Sequence, residues 1–172
     1  MSLSMYQASV PVFRQQLTAL AAVLAKGAAH AAARKIDPAV MLGLRLAPDM
    51  FSLTRQVQIA SDQAKGGAAR LAGVEVPKYD DNEATFEQLQ ARIQKTLEFL
   101  ATLKPAQFEG ADAREITIPM GGQPKTFGGR AYLLHQVFPN FFFHCTTAYA
   151  ILRHAGVEVG KRDFVGTFDP KG

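Results

Sequence analysis

The chain has 172 residues, of which 48% are hydrophobic and 20% are charged, a composition typical of one folded domain that excludes a disordered chain. The formal net charge of +4 comes from basic residues scattered singly along the sequence, so no nucleic-acid-binding patch is indicated. The apolar runs are far shorter than the roughly 20 residues that cross a bilayer, and the single cysteine, Cys145, excludes an intramolecular disulfide. We therefore expect a cytoplasmic protein without a signal peptide, a membrane anchor or a nucleic-acid partner.

The first predicted helix covers about residues 4–34. Apolar residues recur in it at spacings of four and three, which places one side of the helix against a core. The residues concerned are Tyr6, Val10, Phe13, Leu17, Leu20 and Leu24. Either this helix begins near Pro11, where a first-turn proline is tolerated, or it kinks there. Asp37 and Pro38 then predict a short helical turn that runs to Leu44.

The second predicted helix covers about residues 48–72, and the third about residues 83–103. Pro48 favours a first turn, and Asp49 beside it would complement the positive end of the helix. Gly73 is expected to end the second helix. The third helix has two candidate starts, with Thr85 as the cap or with Asn82, and Pro105 ends it.

The segment from 108 to 129 changes from helical spacing to alternation of polar and apolar residues. Two alternating stretches, residues 115–118 and 125–127, flank turn residues that include Gly121 and Gly122. This pattern predicts a small β-hairpin or an irregular loop that lies over one end of the helices.

The fourth predicted helix covers about residues 130–154 and is followed by a tail over residues 156–172. Pro139 lies inside this helix and predicts a kink, because proline has no backbone donor and its ring crowds the preceding turn. In the tail, Phe164 and Phe168 are the expected anchors on the body of the protein. Four amphipathic segments without strand–helix alternation predict an all-α four-helix bundle that occupies residues 1–172 as one domain.

Polar residues on the inner helix faces are the candidates for chemistry, because a buried polar group needs a partner. His144 and Asn140 are four residues apart and share one face of the fourth helix, and Gln136 and Thr147 extend that stripe. On the second helix, residues recur every seven positions beside the apolar stripe: Asp49, Gln56 and Gln63. We expect these two stripes to face each other across a polar pocket.

Two interpretations of this pocket follow from the residues. In the first, His144, Asn140 and Asp49 are the ligands of a divalent metal ion in the core. In the second, His144 is hydrogen-bonded to Asn140, Gln56 or Asp49, and the polar network fixes the register of the helices. Cys145 is expected to be a small core residue, because neighbouring helical residues point about 100° apart and cannot form a cysteine–histidine pair.

The run Phe141–Phe143 surrounds the fourth helix, so its rings cannot all face the core of one subunit. One or two of them must face another helix, the hairpin or a second subunit. A homodimer interface is therefore expected on this helix.

Three stretches of the sequence, residues 46–51, 138–154 and 160–164, resemble an uncharacterised bacterial family within the DinB/YfiT-like superfamily. The resemblance extends over essentially the whole chain, and the fourth-helix stretch is its most specific part. It implies an up-down-down-up four-helix bundle that is often dimeric. Better-known relatives hold a metal through three histidines, one from the second helix and two from a His-x-x-x-His pair on the fourth. Some relatives use low-molecular-weight thiols in transferase or isomerase reactions.

This sequence departs from the pattern that the resemblance implies. His144 matches the second histidine of the pair, Asn140 stands in place of the first, and the predicted second helix contains no histidine, so that Asp49 or Gln56 would substitute. Our functional hypothesis is a degenerate metal site for zinc or nickel that activates a thiol or water, or without a metal a general base at His144. The alternative is a non-enzymatic, dimeric protein that binds a small molecule or acts as a scaffold and whose polar core residues are structural.

Overall fold

The computed structural model describes residues 3–168, and four long helices with one β-hairpin make up most of this range. The long helices are α1 (Met5–Arg34), α3 (Leu53–Ala72), α4 (Phe86–Thr102) and α6 (Phe138–His154). The shorter elements are α2 (Pro38–Gly43), a 3-10 turn (Pro105–Phe108), β1 (Glu115–Met120), β2 (Gln123–Gly128), α5 (Gly129–Ala131), a π-helical segment (Tyr132–Val137) and α7 (Lys161–Val165). None of the helices within residues 3–168 has the length and apolar character needed to cross a membrane.

Helix α1 begins in a capping box, in which Ser4 and Gln7 each bond the backbone of the other. The helix continues without a break through Pro11, so the predicted start near this proline is wrong. Pro11 lies on an exposed face, where water can satisfy the carbonyl that the missing donor leaves free. Lys35 ends the helix in a left-handed conformation with φ of 55°.

Helix α3 begins at Leu53, later than the start predicted at Pro48. Pro48 and Asp49 lie instead in a turn, closed by a backbone hydrogen bond from Met50 to Ala47. Ser52 then adopts an extended conformation at the N-cap position. Proline and aspartate are common both in the first turn of a helix and in a β-turn. Pro48 and Asp49 therefore do not determine whether this segment is helical or forms a turn. Gly73, with φ of 70°, ends α3 as predicted.

Helix α4 begins after Thr85, whose hydroxyl accepts from the backbone of Gln88 while the Gln88 side chain returns to the Thr85 backbone. Of the two candidate starts, the capping box at Thr85 is therefore the one that forms. The connection between α3 and α4 covers residues 73–85 and contains no helix or strand.

The predicted hairpin is confirmed as β1 and β2, which pair antiparallel with Met120 opposite Gln123. Its two-residue turn consists of Gly121 and Gly122, with φ of 61° and 80°. Two consecutive residues with positive φ are what a tight turn of twisted strands requires, and glycine adopts this conformation without strain. Ile116 and Ile118 of β1 are buried in the core, so the hairpin lies against the helices.

A kink at Pro139 is predicted from the sequence, and the structure has a π-helical segment, Tyr132–Val137, directly before the helix that holds this proline. The chain enters it through α5 and the π-helical segment and continues as α6 from Phe138, with Pro139 in the first turn. A π-helical segment shifts the hydrogen-bond register, which accommodates the donor that the proline lacks.

The long helices pack in defined relative directions. Gln56, near the start of α3, contacts His144 on α6, and Gly67, nearer its end, packs against Val137, so α3 runs opposite to the last helix. A methyl group at Gly67 would lie 2.6 Å from Cγ1 of Val137, so only glycine allows this approach. Helix α1 runs in the same direction as α6, because Phe13 packs against Phe141 with ring centroids 5.1 Å apart and Gly27 lies against Leu152.

The connection between α3 and α4 returns along both helices. Asp81 pairs with Arg55 and Glu83 with Gln58, both near the start of α3, while Arg92 of α4 pairs with Asp62. Helix α4 runs opposite to α1, because Gln90 donates to the carbonyl of Ala21 while Phe86 lies beside Gly27. Since α3 also runs opposite to α1, α3 and α4 run in the same direction. The tail packs on α1, where the Gln16 side chain donates to the carbonyl of Phe164 at 3.0 Å. Phe164 contacts Tyr149, as expected of an anchor, whereas Phe168 is 62% exposed and is not one.

Candidate functional site

The structure brings together two of the predicted polar residues, Gln56 of α3 and His144 of α6. The Nδ1 atom of His144 lies 2.6 Å from Oε1 of Gln56, and both residues are almost fully buried. The heptad position of Gln56 and the position of His144 on the inner face of α6 place them opposite each other because the two helices are antiparallel. This pair is the centre of the candidate site.

The orientation of the Gln56 amide decides which nitrogen of His144 carries the proton. The Nε2 group of Gln56 donates to the carbonyl of Phe51 at 3.1 Å, so Oε1 is the atom that faces the imidazole. Since a carbonyl oxygen only accepts, Nδ1 of His144 must be the donor. In the neutral ring, Nε2 therefore holds a free lone pair.

Burial and charge both keep this imidazole neutral. Burial lowers the pKa of His144, and the positive charge of Arg55 lowers it further. Nε2 makes no hydrogen bond to any residue between 3 and 168, although it is not sealed from solvent. The site therefore holds one unprotonated imidazole nitrogen, Nε2, without a hydrogen-bond partner among residues 3–168, while the bond of Nδ1 to Gln56 holds the ring in place.

The side chains of Asn140 and Thr147, two other predicted site residues, are hydrogen-bonded to backbone carbonyls and not to His144. The Asn140 amide donates to the carbonyl of Gln136 at 2.6 Å, so Gln136 takes part only through its main chain. The Thr147 hydroxyl donates to the carbonyl of Phe143 at 2.8 Å. Such bonds to the preceding turn are usual for short polar side chains in helices, and they leave neither group directed at His144.

Asp49, which was predicted to be a ligand, is exposed in the turn before α3 and makes no side-chain hydrogen bond within the described range. Asp49 was predicted to face His144 because it would share one helical stripe with Gln56. Asp49 lies four residues before the first residue of α3, so it is not on that stripe. The stripe begins only at Leu53.

These residues do not fit a divalent metal ion. A zinc site needs three or four strong nitrogen, sulfur or oxygen donors, and His144 is the one such donor that the pair supplies. Between residues 3 and 168, no group of three or more histidine, cysteine, aspartate or glutamate side chains is placed to hold a metal ion. The metal interpretation stays a prediction.

A family model for a domain of unknown function, DUF1993, matches residues 5–165 of this chain. The chain belongs to the DUF1993 family. It is also similar to the crystal structure of a DinB family member from Shewanella denitrificans, at 42% sequence identity and a TM-score of 0.91. That similarity covers 98% of this chain and 95% of the other. No curated protein matches the chain.

In this DUF1993 chain, Phe143 adjoins the candidate site and was not singled out in the sequence. Its ring packs edge to face against the His144 ring, with centroids 5.2 Å apart and an interplanar angle of 90°. Phe141 is fully buried and Phe142 half-buried, whereas Phe143 is 54% exposed. The only signal in the sequence was the phenylalanine run, which showed that one ring had to point outward but not which one.

A second polar cluster of the DUF1993 chain was missed entirely. The guanidinium of Arg92 on α4 is buried and pairs with Asp62 at 2.7 Å, with Glu83 at 2.9 Å and with Asp81 at 3.0 Å. Two of these carboxylates belong to the connection between α3 and α4, so the cluster ties that connection to both helices. A polar loop gives no sequence signal that its carboxylates will meet a buried arginine.

In the same connection, the ring of Tyr79 lies next to the ammonium groups of two lysines. Nζ of Lys65 lies 3.6 Å from the centre of the Tyr79 ring, and Nζ of Lys95 lies 4.4 Å from it. Lys65 also pairs with Asp62 at 2.9 Å. Cation–π contacts and ion pairs thus act on one segment, and we interpret this cluster as structural because its members contact one another.

The remaining features do not extend the site. Cys145 is buried, and burial raises the pKa of its thiol far above the usual range, so it is not a nucleophile. A groove of about 640 Å³ lies between α1 and the tail, with Ala19 and Val165 among its walls, and none of the predicted site residues lines it.

Proposed function

We propose that this DUF1993 protein binds a small molecule between α3 and α6 and that Nε2 of His144 is the hydrogen-bond acceptor for it. The observation that carries this proposal is the chain of contacts from the Phe51 carbonyl through Gln56 to Nδ1 of His144. It fixes the tautomer, so that the accessible nitrogen is the one with the lone pair. A histidine with a purely structural role would be expected to have both ring nitrogens hydrogen-bonded, whereas Nε2 has no partner within residues 3–168.

In a catalysed reaction, the same nitrogen acts as a general base. It accepts a proton from a thiol, a hydroxyl or a water molecule, while Nδ1–H stays bonded to Gln56 and keeps the ring in place. General-base catalysis of this kind contributes about 10²- to 10⁴-fold to a rate. The lowered pKa keeps the base unprotonated near neutral pH.

We further propose that the four long helices form an up-down-down-up bundle of the DinB/YfiT-like type and that the protein is cytoplasmic. The relative directions of α1, α3, α4 and α6 support the topology. A single cysteine that is buried as a thiol supports a reducing compartment.

A second candidate function is a dimeric, non-enzymatic scaffold. The exposure of Phe143 and Phe51, at 54% and 55%, supports it, because large apolar rings in solvent are often covered by a partner. In that case a second copy would cover α6, and His144 would be a structural residue.

Binding is tested by the ¹⁵N resonance of His144 Nε2 in labelled protein. The probes are 2-mercaptoethanol, phenol and cyclohexanol, added separately at pH 7. A saturable shift at His144 with at least one probe, without a comparable shift at the exposed His154, supports the proposal. The proposal fails if no probe moves this resonance, or if the exposed His154 responds equally.

Catalysis is tested with phenyl acetate, whose hydrolysis needs an activated water molecule or nucleophile. Loss of the rate in His144→Gln, with the rate kept in His154→Gln, supports the general base. Equal rates in the native protein, His144→Gln and His154→Gln would contradict the general base. The proposal of ligand binding would then stand without catalysis. Sedimentation of the native protein tests the scaffold, for which a stable dimer is expected.

A further inference from the structure

Phe143 holds an apolar ring in solvent directly beside the candidate site. It follows two phenylalanines that pack inward, Phe141 in the core and Phe142 against it. Phe143 is much less buried than either, since 54% of its surface is exposed. The fold therefore does not account for a large apolar residue at this position.

The Phe143 ring lies directly against the ring of His144. The two rings meet edge to face, while Gln56 covers the Nδ1 edge of the imidazole. The backbone of Phe143 is fixed in α6 and its carbonyl accepts from Thr147, so the ring stands on a rigid element. A ligand bound at Nε2 would therefore have a half-exposed apolar ring of the same helix beside the imidazole.

We propose that Phe143 determines the specificity of this site and that the ligand is a hydroxyl compound with an apolar body. The hydroxyl donates to Nε2 of His144, and the apolar body packs on the exposed phenyl ring. This inference rests on the function proposed above, because it needs His144 to act as the acceptor. Apolar contact and a single hydrogen bond are the usual combination in small-molecule sites.

The experiment compares probes that share the hydroxyl and differ in the body. Phenol and cyclohexanol carry an aromatic and an aliphatic ring, and methanol carries neither. Each is titrated into ¹⁵N-labelled protein while the Nε2 resonance of His144 is followed. Phenol and cyclohexanol are expected to bind more tightly than methanol, and their ratio tells which kind of ring the site prefers.

Variants assign the preference to one residue. Phe143→Ala is expected to weaken the binding of phenol about three- to tenfold, the size of one lost aromatic contact. Phe143→Leu is expected to restore much of the cyclohexanol affinity. Phe168→Ala is the matched control, since it removes an equally exposed ring from the tail and is expected to change nothing.

Several outcomes would overturn the inference. If Phe143→Ala binds phenol as the native protein does, while His144 still responds, the site remains and Phe143 does not select its ligand. If no probe shifts His144 in the native protein, the proposed function fails and the inference fails with it. If Phe143→Ala turns a native dimer into a monomer, the ring belongs to a subunit interface instead.

Discussion

Gln56 on α3 and His144 on α6 are joined by a hydrogen bond of 2.6 Å, although 88 residues separate them in the sequence. The bond links two antiparallel helices and also fixes the proton of the imidazole, so it has a structural and a chemical consequence at once. The two consequences can be measured separately, because stability and tautomer have different readouts.

Replacing Gln56 by leucine is expected to destabilise the protein by about 1–3 kcal/mol, because Nδ1–H of His144 is left buried without an acceptor. The imidazole should then populate both neutral tautomers. Urea unfolding measures the first effect and ¹⁵N resonances of the ring the second. Gln94→Leu removes an exposed glutamine from α4 and should change neither. An unchanged tautomer in Gln56→Leu would contradict the assigned role.

The lowered pKa of His144 makes stability depend on pH. Below about pH 6.5 the unfolded chain binds a proton at His144 before the folded protein does, so stability falls as the pH falls from 6.5 toward the lower folded pKa. Above pH 6.5 this effect is absent. Urea midpoints between pH 7 and pH 5 should fall less steeply in His144→Gln than in native protein. His154→Gln, at an exposed position, should retain the native slope.

Arg92→Met is expected to cost about 3–5 kcal/mol, because the change leaves the nearly buried Glu83 carboxylate without its cation, while Asp62 and Asp81 keep Lys65 and Arg55. The matched control is Arg130→Met, which breaks an ion pair with Asp112 whose partners are 69% and 46% exposed. That variant should lose at most about 1 kcal/mol. Urea midpoints measure both. Similar losses in the two variants would show that the cluster around Arg92 does not hold the connection in place.

The adjacent glycines of α3 should respond in opposite ways to alanine. At Gly67 the new methyl group meets Val137 at 2.6 Å, so Gly67→Ala should destabilise by about 1–3 kcal/mol. At Gly66 the methyl group would come within 2.7 Å of Nη1 of Arg70, at the end of a flexible side chain that can move, so Gly66→Ala should be neutral or stabilising by up to about 1 kcal/mol. Thermal unfolding measures both, and the double variant Gly67→Ala with Val137→Ala should recover part of the loss.

The metal prediction can be decided directly. With His144 as the one strong donor at the site, zinc or nickel is expected to bind weakly and without raising the melting temperature. Elemental analysis of untagged protein, followed by calorimetric titration with each metal, tests this expectation. A stoichiometric metal ion that is lost in His144→Ala would establish a metal centre and overturn our reading of the donor set.

The helices of this chain were predictable because their apolar residues recur at helical spacing and several ends carry strong local signals. Thr85, Gly73 and the glycine pair of the hairpin are such signals, and each acts within a few residues. The predicted start of the second helix at Pro48 was wrong, because a proline is equally suited to the turn that precedes α3. Local rules cannot choose between the two when the decision depends on how the turn packs.

The candidate site was predictable only in part. The positions of Gln56 and His144 follow from helical periodicity, so their meeting could be expected once the helices were placed. The direction of the Asn140 side chain could not, because its amide had a nearby backbone carbonyl to bond instead. The cluster around Arg92 depends on a loop that folds back along two helices, and no spacing in the sequence encodes that path.

Because Cys145 is buried, the reactivity of its thiol depends on local opening of the protein around α6. A thiol that water cannot reach and that stays protonated reacts with alkylating agents only when α6 leaves its neighbours. Since the sequence holds one cysteine, every labelling event records the exposure of this helix and no other. The rate of Cys145 labelling therefore measures how often α6, the helix that carries His144, separates from the rest of the domain.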